Sequence, residues 1–334
     1  MAQAPRRRDV LRLATAGLAA YGAAIKPLHA LAQPVWPARP VTYIVPYPPG
    51  GVADFISRTI GAQLAAALKQ PFVIENRAGA SGIAGTRMAV RAQPDGYTLV
   101  AGAINTHVLN GLVYQALPYD MVKDFQPVAL LGVLTNVLIV RSDSPYRSVA
   151  DVVAKLRAEP DSLTYGSSGT GTLQHLAGEM LQKLSGTRMR HIPYKGGSGA
   201  ITDLIGGNID MIFDNEVVAL PMIKAGRVRA LAVTSRQPLP SLPGVPPVRT
   251  TPLPGFEVFE MQPWHATYAP AGTPAAVVER LTLAIRDVLA VPETREVLRA
   301  NGVEPKYLGP AALGEFQRSE IAKWQEVLRD YRRE

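Results

Sequence analysis

Short runs rich in valine and isoleucine alternate along the chain with stretches whose apolar residues recur every three or four positions. The first pattern predicts strands and the second helices. Residues 41–46 (VTYIVP) predict a strand, and residues 53–68 a helix with Phe55, Ile56, Ile60, Leu64 and Leu68 on one stripe. Strands follow at 72–75, 97–100, 137–140, 163–166, 190–193, 210–213 and 229–233. Helices fall between or after them at 82–91, 149–157, 172–184, 199–205, 217–225, 275–289, 294–300 and 311–332. Strand–helix alternation implies parallel sheets covered by helices. So many units exceed one comfortable open sheet, which predicts two lobes. The proline-rich stretch 238–254 has no regular period and reads as a connecting or lobe-crossing segment.

Composition narrows the picture. The chain has 334 residues, 47% hydrophobic and 19% charged, as expected of a folded globular protein. No apolar run after the first thirty residues is long enough to span a bilayer. There are no cysteines, which excludes disulfides, thiol catalysis, cysteine metal sites and a lipidated cysteine anchor. Residues 1–32 carry five basic side chains against one acidic, so the rest of the chain keeps +4 of the total charge of +8. A mild positive field suits an anionic ligand. No cluster of Lys and Arg with interleaved aromatics appears downstream, so nucleic acid is not an expected partner.

The N-terminus reads as an export signal. Arg6-Arg7-Arg8-Asp9-Val10-Leu11-Arg12 is basic, the segment from Leu13 to Ala20 is mildly apolar, and Ala30-Leu31-Ala32 offers small residues before a cleavage at Gln33. Arg7-Arg8 with this Ala/Gly-rich continuation favours the twin-arginine route over the general one, although Val10 replaces the usual aromatic. Either route ends in the periplasm.

In open α/β sheets ligands bind beyond the carboxyl ends of the strands, so binding chemistry is expected in the loops there. After the first strand comes Tyr47-Pro48-Pro49-Gly50-Gly51-Val52-Ala53-Asp54, opening a helix. Prolines stiffen such a turn, glycines bare its amides, and a helix N-terminus favours an anion. A plain strand–helix turn with Asp54 capping explains the same residues equally well. After the strand at 163–166 comes Ser167-Ser168-Gly169-Thr170-Gly171-Thr172, a second glycine/hydroxyl loop opening a helix that carries His175 and Glu179. Two such loops, one per lobe, describe a cleft able to grip an anion from both sides. A third loop holds Lys195, Ser198 and, early in the next helix, Asp203.

Enzyme readings fare poorly. Gly166-Ser167-Ser168-Gly169 is not a G-x-S-x-G elbow, and His175 with Glu179 is not H-E-x-x-H. His175 reads as structural or loop-bracing, Gly79-Ala80-Ser81-Gly82 as a packed turn, and His107, His191 and His265 are scattered without a spacing signal. No metal or cofactor is implied.

The chain also carries a family pattern. It includes Pro46-Tyr47-Pro48-Pro49-Gly50-Gly51 with Asp54, Glu75-Asn76-Arg77-Ala78-Gly79, Pro94-Asp95-Gly96-Tyr97, and Leu117-Pro118-Tyr119-Asp120. It continues through Ser168-Gly169-Thr170-Gly171-Thr172 with His175, Pro193-Tyr194-Lys195-Gly196, Gly206-Gly207-Asn208, Gly226-Arg227 and Ala269-Pro270-Ala271-Gly272-Thr273-Pro274. In this order, over nearly the whole chain after the signal, it resembles the Bug-type extracytoplasmic solute receptors of tripartite tricarboxylate transporters. That resemblance implies a two-lobed periplasmic-binding-protein (Venus flytrap) α/β fold, each lobe a mostly parallel sheet flanked by helices. The lobes would be residues 33–136 with 255–334, and residues 137–254. The ligand would be a small carboxylate held between the lobes. Tyr47, Pro49, Gly50 and Gly51 would contact it from the first lobe, and Ser168, Thr170, Thr172, Ser198 and Asp203 (through water) from the second. Its far end would meet variable residues such as Phe55, Asn105, His107, Asn215 and Glu216. The partner would be a membrane permease, with the receptor a monomer. Two departures, Pro247-Val248-Arg249-Thr250 and Ala266 in place of a glycine, bear on the ligand more than the fold. Two competing outputs are a ligand-presenting sensor subunit for a histidine kinase and a hydrolase using Ser168 and His175.

Overall fold

The computed structural model describes residues 36–194 and 197–329, apart from the side chain of Ser198. The expected signal segment, its cleavage site and Lys195 therefore lie outside the described residues. The chain divides into two units, 1–38 and 39–334, and the second holds every strand and helix that follows.

The order begins with β1 (Val41–Val45), α1 (Val52–Leu68), β2 (Phe72–Asn76), α2 (Ile83–Val90) and β3 (Thr98–Ala103). A π-helical turn, Asn105–Leu109, continues into the short α3 (Asn110–Val113), and β4 (Phe125–Val133) follows. The chain then builds β5 (Asn136–Arg141), α4 (Val149–Ala158), β6 (Thr164–Ser167), α5 (Leu173–Ser185), β7 (Arg190–Pro193), α6 (Gly197–Gly206), β8 (Met211–Asn215), α7 (Glu216–Lys224) and β9 (Val228–Val233). It ends with β10 (Trp264–Pro270), α8 (Ala275–Ala290), α9 (Pro292–Ala300), β11 (Glu304–Leu308) and α10 (Pro310–Val327).

Local sequence explains the helices. In α1 the stripe Ile56, Ile60 and Leu64 is buried against the sheet, whereas Phe55 and Leu68 at its margins stay partly exposed. Ser148 and Asp151 close a reciprocal capping box at the start of α4. Thr172 caps α5 by accepting from the His175 N–H.

Two sheets form. The first has the order β11-β4-β10-β3-β1-β2 and the second β7-β6-β8-β5-β9. Both are mixed rather than mostly parallel in their pairings: β10 runs antiparallel to β3 and β4, and β5 antiparallel to β8 and β9. The reason lies in the crossovers. Apart from β11, which runs antiparallel to β4, the strands that start within a lobe point their carboxyl ends at the cleft. β4 ends there, and after Leu134 and Thr135 the chain starts β5 in the other sheet. A strand that enters a lobe at its cleft end must run away from the cleft, antiparallel to its neighbours. β10 re-enters the first sheet in the same way.

The crossing segments are stitched together. The Leu134 N–H donates to Pro263 O at 2.7 Å, the Thr234 N–H to Asn136 O at 2.8 Å and the Met261 N–H to Thr234 O at 3.0 Å. Thr234 Oγ1 adds a bond from the Asn136 N–H at 3.0 Å. One buried apolar cluster runs from Val100 and Trp264 on the first sheet to Phe213 and Tyr165 on the second. A second cluster, with Ile139, Leu204 and Val233, covers the other face of the second sheet.

Candidate functional site

A cavity of about 800 Å³ opens at the carboxyl ends of both sheets. The first lobe supplies Tyr47 to Ala53, Ser81, Ala103, Ile104, Asn105, Trp264 and His265. The second supplies Ser168, Thr172, Leu173, Gln174, Gly197 and Asn215, and Asn136 joins them from the crossover between the lobes. Of the residues expected at the site, Tyr47, Pro49, Gly50, Gly51, Asn105, Ser168 and Thr172 come together here. Thr170 and Asp203 are not in the lining, and the Ser198 side chain lies outside what is described. Of the residues expected at the far end, Asn215 lines the cavity. Phe55, His107 and Glu216 do not: His107 is fully buried under Tyr268, and Glu216 bonds Ser241 on another surface.

The first-lobe loop is held from behind by a buried carboxylate. Asp54 does not cap α1; its Oδ2 accepts from the Gly50 N–H at 2.9 Å and from Arg58 at 3.0 Å. Its Oδ1 accepts from Asn76 Nδ2 at 2.9 Å, and that same amide reaches Tyr47 O at 3.2 Å. Burial pushes the Asp54 carboxyl up, but the bonds from Arg58, Gly50 and Asn76 outweigh it and hold the group below its ordinary value. With the carboxylate spent on Gly50, no side chain covers the first turn of α1. Its amide groups and positive dipole end face the cavity through Val52 and Ala53. Gly50 sits at φ +80° with open space around its missing Cβ, so backbone conformation alone demands glycine there.

The second-lobe loop is held by neutral groups. Gln174 Oε1 accepts from the Ser168 N–H at 2.6 Å, and its Nε2 donates to Asp214 Oδ1 at 2.6 Å. Thr172 Oγ1 donates to Gly169 O at 2.7 Å. His175 Nδ1 accepts from the Gly171 N–H at 3.1 Å, so the ring is unprotonated at that nitrogen. His191 stacks on His175 with ring centres 4.1 Å apart, and its Nε2 lies 2.6 Å from Ser167 Oγ. Burial lowers both histidines to about 4, for His191 with help from its neighbour His175. These two imidazoles, scattered in sequence, form one brace under the loop.

Asp214 stands behind Gln174 at the second-lobe wall, almost fully buried, with Oδ2 unpartnered. Burial raises its carboxyl to about 6, against the bonds from the Asn215 N–H and Gln174. Asp203 has a different duty. It accepts from Tyr194 Oη at 2.6 Å and from Asn208 Nδ2 at 3.1 Å, which ties the last turn of α6 to the residues that precede and follow the helix. The close pair Ser167–His191 is not an exposed nucleophile and base, because Ser167 is fully buried and does not line the cavity. Among the described residues no three His, Asp or Glu side chains converge on a metal position. No described helix is long and apolar enough to cross a membrane.

Sequence reasoning missed Asn136, Gln174, Trp264 and His265 as lining residues. Asn136 opens β5 immediately after the crossover, and Gln174 lies two residues past the cap of α5. Both positions follow from the rule that ligands sit at strand ends. Trp264 and His265 begin β10, a strand not expected from the pattern.

With that geometry in hand, the family is decided by residues 56–332, which match the tripartite tricarboxylate transporter family receptor model. The chain belongs to this receptor family. It is 33% identical over 319 residues to the protein BugT of Bordetella pertussis, covering 95% of this chain and 94% of that one. Among solved structures, an R. palustris protein with adipate superposes with a TM-score of 0.78 at 34% identity, covering 88% of this chain and 97% of that one. MatC from Rhodopseudomonas palustris with bound malate gives 0.76 at 31% identity, with coverage of 88% and 100%. The periplasmic binding protein BugD gives 0.75 at 31%, with coverage of 88% and 98%. The two-lobed fold and the Bug-type resemblance expected from the sequence are thereby established, and the receptor is of the periplasmic kind.

Proposed function

We propose that this receptor captures a small carboxylate in the cleft between its lobes and presents the bound form to a membrane permease of a tripartite transporter. The lobes are residues 33–136 with 255–334, and residues 137–254. Residues 1–32 are the export signal, routed by the twin-arginine pathway, and the mature protein is a monomer without enzymatic activity. The observation that carries the reading is the cavity at the carboxyl ends of both sheets, with one glycine loop and one helix N-terminus from each lobe facing it. Relatives of the same fold hold adipate and malate.

The proposed division of labour follows from the geometry. The amides at Gly51, Val52 and Ala53 and the N-terminal end of α1 take one carboxylate. Ser168 and Thr172 close on it from the second lobe. Asn105, Asn136, Gln174 and Asn215 meet the remainder of the ligand with amide groups that can donate or accept. Each charged hydrogen bond contributes ~1.5–3 kcal/mol. Because the contacts come from both lobes, the ligand favours the closed arrangement through the two crossings, the short one at 134–136 and the long one at 234–263. Asp203 acts indirectly, by holding α6 in place.

A thermal-shift screen of the mature protein, starting at Gln33, against mono-, di- and tricarboxylates tests this. A ligand at ~100 times its Kd should add ~2.7 kcal/mol. No shift with any carboxylate, from folded protein free of co-purified ligand, would sink the proposal.

A further inference from the structure

The cavity has an electrostatic peculiarity. It is built for an anion, yet among the described residues its lining includes no lysine, no arginine and no aspartate or glutamate. The lining side chain able to become a cation near neutral pH is His265. β10 sets His265 opposite Ala103 of β3 and Gly132 of β4, in the middle of the first sheet's cleft end. Its ring is partly buried, and Nδ1 is enclosed without a hydrogen-bond partner. An enclosed polar atom without a partner is costly and calls for an explanation.

We propose that His265 takes up a proton from solvent as a carboxylate enters the cavity, and that the imidazolium so formed is the lining's charged partner for that carboxylate. This rests on the carboxylate reading above and deepens it: capture becomes proton-coupled, and dianions are favoured over neutral or amidated analogues. Two observations support it besides the position of the ring. Burial alone pushes His265 down to about 4, which keeps the ring neutral near pH 7, with no charged neighbour acting on it. The titratable groups on the surrounding elements are otherwise engaged or neutral. Tyr47 of the first loop and His107 of the π-helical turn are buried and uncharged. Glu304 of β11 is paired with Arg299, and Glu320 of α10 with Lys323. Asp214 of β8 is tied to Gln174. An arriving carboxylate would be the first opposite charge the ring meets, and an opposite charge close by favours the protonated form.

Calorimetric titration of the wild-type protein in buffers of differing ionisation heat decides the matter. Malate and adipate serve first as probes, then each other dicarboxylate of the screen. The expected result is proton uptake on dianion binding, up to about half a proton at pH 7 and approaching one near pH 6, with affinity rising up to about tenfold for each pH unit lowered. His265→Gln, which keeps a hydrogen-bonding amide, should abolish the uptake, flatten the pH dependence and weaken dianion binding at least about tenfold. Dicarboxylate binding without proton uptake overturns this proposal and leaves the receptor reading intact. Failure of every carboxylate to bind overturns both. The wild-type proton count does not depend on the variant folding.

Discussion

The two cleft loops present the same chemistry by opposite means. The first, Tyr47–Gly51, is pinned by a charged group: Asp54 binds the Gly50 amide while Arg58 and Asn76 hold the carboxylate. The second, Ser167–Thr172, is pinned by neutral ones: Gln174, the stacked His175 and His191, and Thr172. In both, a side chain satisfies the backbone from the protein side, so that other backbone groups can turn to the cavity. The brace need not share the ligand's chemistry; it only has to be complete. A charged brace costs desolvation but is strong once paired. A neutral brace avoids that cost but holds only while its imidazoles stay unprotonated. The loops should therefore fail under different insults.

The largest expected effect is at the charged brace. Asp54→Ala removes the acceptor for Gly50, Arg58 and Asn76 together and should cost about 2–4 kcal/mol in urea unfolding, with a marked loss of carboxylate affinity. Asp54→Asn, which keeps the shape and one acceptor oxygen, should cost clearly less. Equal losses for the two would mean that packing, not charge, holds the loop. Next is Gln174→Leu in the second loop. It strands the Ser168 N–H and takes a donor from Asp214, which is already unpartnered at Oδ2. We expect a loss of about 1–3 kcal/mol and a further rise in the Asp214 carboxyl, visible as a shifted carboxyl titration by NMR.

pH separates the braces more finely. A buried histidine at about 4, against an ordinary 6.5, is harder to protonate folded than unfolded. The unfolded chain takes up protons first, so stability falls as pH drops from about 6.5 towards about 4. Asp54 is held below its ordinary 3.8, so its contribution is full above that value and is lost only as pH falls further. The second loop should thus loosen in mild acid while the first stays firm. Between pH 6.5 and 5.5 each buried imidazole accounts for on the order of 1 kcal/mol at most. His175→Gln should flatten the thermal midpoint's dependence on pH in this interval, and Asp54→Asn should leave it unchanged. If the two variants have the same slope, the histidine pair is not the acid-sensitive brace.

How far the sequence carried depends on whether an element is local. The strand–helix units inside each lobe, from β1 through β3 and from β6 through β9, were legible because each strand is a short apolar run and each helix has its own stripe. β4, β10 and β11 were not expected. Their sequences, FQPVALLGV, WHATYAP and EPKYL, mix prolines, small residues and charges. β10 draws its strand character from lying between β3 and β4, a tertiary cause that no local window contains. Overlooking β10 also hid Trp264 and His265 from the site. The glycine loops were visible as motifs, but the histidine pair depends on β7 lying beside β6, which brings His191 opposite Tyr165. Lobe count and cleft position follow from the pattern of units. The wall of the cleft follows from topology.

The smallest expected effect is the most discriminating for the site. From the family pattern alone, Asp203 would reach the ligand through water, and replacing it would weaken binding strongly. In the structure it is spent on Tyr194 Oη and Asn208 Nδ2 and is not in the cavity lining. Asp203→Asn keeps an acceptor for Tyr194 and should change carboxylate affinity by less than about threefold. Asp203→Ala should cost about 1 kcal/mol of stability, because both bonds are partly exposed and water can replace them. Any loss of affinity in the Ala variant would then come through α6, and would be accompanied by faster amide exchange along residues 197–206. A tenfold loss of affinity in Asp203→Asn without change in exchange would place Asp203 at the ligand after all. It would also mean that the second lobe closes further around its ligand than this arrangement of α6 implies.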